Sequence, residues 1–148
     1  YLLHGRSDDY TMWLRRSSIE RYVSNLPLIV VMPDGGLGFY CDAEQGFAYD
    51  KAIAVDLVDR IDRTFPTVRS RSGRCIAGLS MGGYGAIKLA LSHPARFCAA
   101  VSHSGAVGFG HYPFGHDGGP YPAEFQRILG DNHVGGPNDL FALAERAD

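Results

Sequence analysis

Short apolar runs alternate with longer amphipathic segments along this chain of 148 residues. Residues 28–32 form a continuous run rich in β-branched side chains between two prolines, a pattern typical of a strand buried on both faces of a parallel sheet. Similar runs predict strands at residues 1–3, 74–79 and 97–101. The chain is therefore expected to contain about four parallel strands.

Helical periodicity occupies the intervals between these runs. Apolar residues recur every three to four positions from Ile53 to Phe65, which predicts an amphipathic helix that ends before Pro66. Residues 83–92 are apolar on nearly every side, so this helix is expected to be the most buried. The alternation of strands and helices predicts an α/β fold with a central, mostly parallel sheet flanked by helices.

The domain organisation follows from the same pattern. We expect residues 1–148 to be a single incomplete α/β domain, because an apolar run is already under way at Tyr1 and a helical pattern is still running at Asp148. Residues 108–122 are rich in glycine, proline and aromatic side chains, which predicts a lid or surface loop. No apolar run approaches the ~18 residues that a membrane helix needs.

Composition narrows the expected partners. Fourteen Lys and Arg residues against sixteen Asp and Glu residues give a net charge of −2, without a basic stripe, so neither nucleic acid nor an anionic membrane is an expected partner. The three cysteines lack C-x-x-C spacing, which argues against a disulfide framework and a zinc site. Cys75 and Cys98 lie in apolar runs and are expected to be inert core thiols. Compartment and oligomeric state do not follow from the sequence.

Residues 78–82, with the sequence GLSMG, fit the pattern G-x-S-x-G at a junction of predicted strand and helix. This setting is typical of a nucleophile elbow, whose sharp turn leaves no space for side chains at Gly78 and Gly82. Ser80 is the candidate nucleophile. The N–H of Met81, at the start of the helix, is a candidate donor to a developing oxyanion. The alternative is a glycine-rich turn with an ordinary serine.

His4 and Gly5 directly follow the first predicted strand. Hydrolases with a nucleophile elbow take a second oxyanion donor from the loop at this place, so the backbone N–H of Arg6 is the candidate. That role does not require the arginine side chain. His4 is either a loop histidine satisfied by backbone hydrogen bonds or a direct participant in catalysis.

Together these segments resemble the esterase D family of α/β hydrolases, which includes tributyrin esterases, S-formylglutathione hydrolases and the antigen 85 acyltransferases. The resemblance extends from Tyr1 to about Val107 and is strongest to the tributyrin-esterase branch. It is carried by His4-Gly5, Trp13, residues 31–35 and residues 78–94. The resemblance implies Ser80 as nucleophile, the N–H groups of Arg6 and Met81 as the oxyanion hole, and no cofactor or metal.

The resemblance also implies an acidic residue and then a histidine later in the chain than Ser80. Five histidines follow Ser80: His93, His103, His111, His116 and His133. The family order favours an acid and a base that both come after Asp148, so the chain by itself is expected to lack them. A base among the five histidines is the alternative.

The expected function is that of a serine esterase, which hydrolyses short carboxylic esters or thioesters through an acyl-enzyme on Ser80. The expected substrates are therefore small molecules. One alternative is an acyltransferase of the antigen 85 type, in which a sugar hydroxyl replaces water. The other is a non-catalytic binding protein that keeps the fold. Two weaker candidates lie in the predicted loop: a metal site at His111, His116 and Asp117, and an aromatic substrate pocket or loop packing by Phe109, Tyr112, Phe114 and Tyr121.

Overall fold

A three-stranded parallel sheet forms the centre of the molecule in the computed structural model, which describes residues 1–117 and 122–147. Its strands lie in the order β1–β2–β3, which are Leu2–Leu3, Cys75–Leu79 and Ala99–His103. Gly78 is aligned with Leu3 on one side and with Ser102 on the other. The first two strands confirm the apolar runs at their positions, and the third begins two residues later than predicted.

Residues 28–32 do not form a strand, so the described part of the chain has three strands where about four were expected. The segment does lie beside β1, because the N–H of Leu2 donates a hydrogen bond of 2.9 Å to the carbonyl of Val31. β1 contains only two residues, however, and cannot pair with the rest of the run. Leu28 and Ile29 are consequently 60% and 45% exposed. A β-branched run becomes a buried strand only where a neighbouring strand supplies hydrogen bonds along its length.

Seven α-helices flank this sheet within the described residues. They are α1 (Met12–Arg16), α2 (Ile19–Val23), α3 (Tyr49–Lys51), α4 (Val58–Thr64), α5 (Met81–Ser92), α6 (Ala123–Leu129) and α7 (Leu140–Glu145). A π-helical stretch, Ala52–Leu57, joins α3 to α4, so the predicted amphipathic helix belongs to one longer helical segment. None of the helices in residues 1–117 and 122–147 has the length and apolar character needed to cross a membrane.

Helix α5 is the element against which the rest of the molecule packs. It follows β2 directly and contacts all three strands as well as α7. Eight of its twelve residues are buried, Tyr84 and Leu89 completely. This confirms the prediction from its apolar character that it would be the most buried helix.

An aromatic cluster extends the core beyond α5. The rings of Phe39 and Phe109 stack with their centroids 3.8 Å apart, and Tyr84 meets both edge-on. The Tyr84 hydroxyl donates a hydrogen bond of 2.6 Å to the carbonyl of Asn138. Segments that are distant in the sequence therefore meet on one face of α5.

One charged pair is buried within this core. Lys88, on α5, is 2% exposed, and its ammonium group forms an ion pair with Asp50, on α3. The other oxygen of Asp50 lies 2.5 Å from Nε2 of His93, and Lys88 also donates to the carbonyl of Tyr40 at 3.5 Å. The carboxylate of Asp50 thus compensates a positive charge that would otherwise lack a partner in an apolar surrounding.

Replacing Asp50 by alanine should therefore destabilise the fold. Removal of one member of a buried ion pair leaves the other charge uncompensated, and we expect a loss of about 3–5 kcal/mol in the free energy of unfolding. Asp56→Ala is the matched control, because Asp56 pairs with Lys51 at the surface, where the two side chains are 57% and 61% exposed. Its loss should stay below about 1 kcal/mol. Equal losses in urea denaturation of the two variants would contradict this account of Asp50.

Candidate active site

The turn between β2 and α5 holds Ser80 in a backbone conformation that only glycine adopts readily. Its φ is 55° and its ψ is −114°, a combination that costs about 1–3 kcal/mol in a residue with a side chain. The N–H of Ser80 donates to His103 at 2.9 Å, and its carbonyl accepts from Tyr84 at 3.0 Å and from Ala106 at 3.2 Å. The backbone is thus fixed on both sides, while the residue itself is exposed.

Two glycines allow this turn because the backbone approaches them too closely for a side chain. A Cβ atom on Gly78 would lie 2.2 Å from the carbonyl oxygen of Gly82. A Cβ atom on Gly82 would lie 2.6 Å from the carbonyl oxygens of both Leu3 and His4. The pattern G-x-S-x-G predicted that side chains have no space at these two positions, and the geometry confirms it.

The loop after β1 lies against Ser80. A Cβ atom on Gly5 would be 3.7 Å from Cβ of Ser80, so the chain from His4 to Arg6 passes beside the serine. The backbone N–H groups of Arg6 and Met81 donate no hydrogen bond to any residue that the structure describes. Arg6 and Ser80 share a cleft of about 280 Å³. Its other lining residues are Gly5, Asp8, Met12, Trp13, Arg16, Ser17 and Leu79.

His4 is completely buried and holds this loop in place. The N–H of Gly35 donates to its Nε2 at 2.9 Å, so Nε2 carries no proton and the Nδ1–H donates to the carbonyl of Gly5 at 2.8 Å. The hydroxyl of Tyr40 donates to the carbonyl of His4 at 2.9 Å. Of the two interpretations of His4, the geometry favours a loop histidine satisfied by backbone hydrogen bonds.

The side chain of Arg6 connects the same loop to helix α6. Its guanidinium group forms an ion pair with Glu124 and lies 5.6 Å from the ring centroid of Phe125. The ring of Phe125 in turn packs edge-on against Phe39 and Phe109. The sequence analysis missed Glu124 and Phe125, and no local signal could have identified them, because Glu124 lies 118 positions from Arg6.

The imidazole rings of the five histidines that follow Ser80 have other partners or are exposed. Within residues 1–117 and 122–147, Oγ of Ser80 forms no hydrogen bond with any of them. His93 contacts Asp50, His111 contacts Asp139, His133 contacts the carbonyls of Gly130 and Tyr112, His116 stacks on Tyr112, and His103 is exposed. A serine–histidine dyad is therefore not assembled by the described residues.

The pair formed by His111 and Asp139 has a structural role. Nδ1 of His111 lies 3.0 Å from the Asp139 carboxylate, which also accepts from the N–H groups of Phe141 and Ala142 and caps α7. Burial raises the pKa of Asp139, but hydrogen bonds from Gly135, His111, Ala142 and Phe141 outweigh it and hold the pKa below its ordinary value. Asp139 is thus an ionised helix cap.

The residues of the two weaker candidate sites in the predicted loop do not come together as a metal site or as one aromatic pocket within the described residues. No group of three or more His, Cys, Asp or Glu side chains within the described residues could hold a metal ion. Phe109 belongs to the aromatic cluster of the core, whereas Tyr112 is 45% exposed. Phe114 packs against His133, with ring centroids 4.3 Å apart. Tyr121 lies outside the described residues.

Replacing Gly82 by alanine should disrupt the contact between the turn and β1. The added methyl group would meet two backbone oxygens at 2.6 Å, so the strand end or the helix must move. We expect a loss of about 3 kcal/mol or more in the free energy of unfolding. Gly108→Ala is the control, since the nearest atom to its Cβ lies 3.6 Å away on the Tyr112 ring, and its loss should be below about 1 kcal/mol. If Gly82→Ala and the unsubstituted chain unfolded at the same thermal midpoint, the close contact between Gly82 and the end of β1 would be contradicted.

Comparison with known proteins identifies the family. The family model described as "Putative esterase" matches residues 1–131. An esterase of Mycobacterium tuberculosis is 35% identical over 111 residues, which are 71% of this chain and 24% of that protein. An acetyl esterase of Caldicellulosiruptor saccharolyticus is 32% identical over 108 residues, which are 72% of this chain and 41% of that protein. The chain therefore spans less than half of the length of these two relatives.

A solved structure has the same arrangement of elements. The substrate-bound, fluorophosphonate-binding serine hydrolase FphF of Staphylococcus aureus matches with a TM-score of 0.84 and 32% sequence identity. The match covers 98% of this chain and 56% of that protein. The sheet of parallel strands flanked by helices is accordingly that of the α/β hydrolases. Because the family model matches residues 1–131, which are most of the chain, the chain belongs to the esterase family.

Proposed function

We propose that Ser80 is the nucleophile of a serine esterase that hydrolyses carboxylic esters or thioesters through an acyl-enzyme. The observation that carries the proposal is the strained backbone of Ser80, with a φ of 55°, at the junction of β2 and α5. Strain of this kind persists only where the surrounding structure enforces it, and it is concentrated at active sites. It supports catalysis over the alternative of an ordinary serine in a glycine-rich turn.

The oxyanion hole consists of the backbone N–H groups of Arg6 and Met81. When Oγ of Ser80 attacks the carbonyl carbon, the negative charge that develops on the carbonyl oxygen needs donors already in position. Both N–H groups are free to donate, since neither has an acceptor among the described residues. Met81 also opens the twelve-residue helix α5, whose N-terminal dipole favours negative charge. No metal or cofactor takes part in this step.

A histidine must accept the proton of Ser80 and pass it to the leaving alcohol or thiol. We assign this base, and an acidic residue that orients it, to sequence beyond Asp148. Two observations support the assignment: no described histidine side chain forms a hydrogen bond with the Ser80 hydroxyl, and the chain covers 56% of the Staphylococcus aureus hydrolase. Water then attacks the acyl-enzyme with the same groups acting in reverse.

The cleft beside Ser80 has room for a short acyl group. Its volume of about 280 Å³ lies near the lower end of the range for small-molecule sites, roughly 300–1,000 Å³. Trp13 and Met12 contribute apolar surface beside Ser80, while Asp8 and Arg16 contribute polar groups. Transfer of the acyl group to a hydroxyl would use the same residues. Product analysis with and without an alcohol acceptor distinguishes hydrolysis from transfer.

The natural full-length protein should react with a fluorophosphonate probe at Ser80. Ser80→Ala should abolish the labelling and lower kcat for p-nitrophenyl acetate by at least about 10⁴-fold, because the nucleophile is removed. Ser104→Ala is the matched control, since Ser104 is also exposed and also has a positive φ, of 47°. The Ser104→Ala variant should react with the probe to the same extent as the unsubstituted protein. Labelling that persists in Ser80→Ala would exclude Ser80 as the nucleophile. Absence of labelling in the unsubstituted protein would contradict the proposal that it is a serine esterase.

The chain of 148 residues by itself should hydrolyse p-nitrophenyl acetate at a rate close to background. A serine without its base is a weak nucleophile at neutral pH. The rate of release of p-nitrophenol measures this directly. Robust turnover that is lost on His103→Ala or His133→Ala would show that the base lies within the chain and would overturn its assignment to later sequence.

A further inference from the structure

Two cysteines lie side by side at the end of the sheet opposite to Ser80. The Sγ atoms of Cys75 and Cys98 are 3.7 Å apart, and both residues are exposed. The expectation that they lie in the core is therefore wrong. Cys75 is the first residue of β2 and Cys98 directly precedes β3, so both occupy the ends of the apolar runs and not their buried middle.

The pairing of β2 with β3 fixes the distance between these cysteines. Cys75 is aligned with Ala99, and the N–H of Cys98 donates to the carbonyl of Arg74 at 2.9 Å. Neighbouring strands are about 4.8 Å apart, which puts diagonal neighbours such as Cys75 and Cys98 about 6 Å apart at their Cα atoms. Disulfides span Cα separations of roughly 4.4–6.8 Å. Because the two Sγ atoms already lie 3.7 Å apart, a small rotation of the side chains brings them to bonding distance while the strands stay paired.

The two thiols also influence one another chemically. Partial burial raises the pKa of Cys75, and the hydrogen bond and the charge of Cys98 raise it further. The thiol of Cys98 lies 3.2 Å from the carbonyl oxygen of Arg74, to which it donates. Because two thiolates at this distance repel each other, one cysteine reacts first as a thiolate while its neighbour stays protonated until the first bond has formed.

We propose that Cys75 and Cys98 form a redox-active dithiol that closes to a disulfide by exchange with a small-molecule disulfide. One cysteine thiolate attacks a sulfur atom of the small molecule, whose S–S bond breaks and releases a thiolate that takes up a proton. The second cysteine loses its proton and attacks the mixed disulfide, which forms the Cys75–Cys98 bond and releases the other thiol. Two protein thiols are oxidised, and one small-molecule disulfide is reduced to two thiols.

The new bond would close a loop around the candidate active site. Cys75 and Cys98 are 23 positions apart, and the elbow with Ser80 and the whole of α5 lie between them. A disulfide that closes a loop of this size restricts the unfolded chain, so the oxidised form should be the more stable one. Its chemistry does not involve Ser80, so the proposal stands or fails independently of the esterase activity.

Peptide mapping of the full chain tests the disulfide directly. The reduced chain is incubated with oxidised 2-mercaptoethanol and digested with trypsin without reductant, which puts Cys75 on peptide 75–88 and Cys98 on peptide 97–127. We expect these peptides to be cross-linked, with the loss of two hydrogens and no retained adduct. The thermal midpoint should rise by about 5–10 °C and fall again with dithiothreitol.

Three variants serve as controls. Cys75→Ser and Cys98→Ser should each retain one mercaptoethanol adduct on the remaining cysteine of the pair, since no second thiol resolves it. Cys41→Ser should form the disulfide as the unsubstituted chain does, because Cys41 is buried and burial raises its pKa to about 11. Two adducts on the unsubstituted chain, unreacted thiols at both positions, or a cross-link to Cys41 would each overturn the proposal.

A second measurement needs no variant. Phenylarsine oxide bridges two thiols that lie close together, so one equivalent should protect both Cys75 and Cys98 from alkylation. Excess monothiol should not reverse the protection, whereas dithiothreitol should. Protection of only one cysteine, or of neither, would show that the two sulfur atoms do not act as a pair.

Discussion

The close contact between the β2–α5 turn and the end of β1 is the constraint on which the candidate site depends. Gly82 lies so near the carbonyls of Leu3 and His4 that a single methyl group would force them apart. At this contact the loop after β1, which carries the proposed donor Arg6, lies against Ser80. The same turn holds Ser80 at a φ of 55°, a strain that the hydrogen bonds to His103, Tyr84 and Ala106 offset.

The surrounding structure supports this contact from several directions. One ring nitrogen of His4 donates to Gly5 in the loop, and the other accepts from Gly35 in a distant segment. The Arg6 side chain joins the loop to α6 by an ion pair with Glu124. Helix α5 is in turn anchored by its burial and by the pair of Lys88 with Asp50. A backbone site needs such support, because the position of an N–H group depends on the whole loop and not on one rotamer.

Much of the fold was accessible from hydrophobic periodicity. β2, α5 and the amphipathic helix correspond to the predicted segments, because each is long and regular enough for its pattern to indicate its type. For residues 28–32 the pattern predicted a strand that does not form. A strand needs a neighbouring strand to pair with, and the pattern of one segment does not show how long that neighbour is. Cys75 and Cys98 show another limit, because the ends of an apolar run are exposed where its middle is buried.

The sequence by itself determined the local chemistry of this protein. Two local patterns carry this information: the GLSMG turn between a strand and a helix, and the His-Gly pair after the first strand. Local sterics determine the backbone geometry that each pattern adopts. Only the tertiary structure decided which distant residues meet. Glu124 reaches Arg6 across 118 positions, Asp50 compensates Lys88, and Cys75 lies beside Cys98 because strands and helices distant in sequence pack together. Such contacts depend on packing in three dimensions, which no short stretch of sequence specifies.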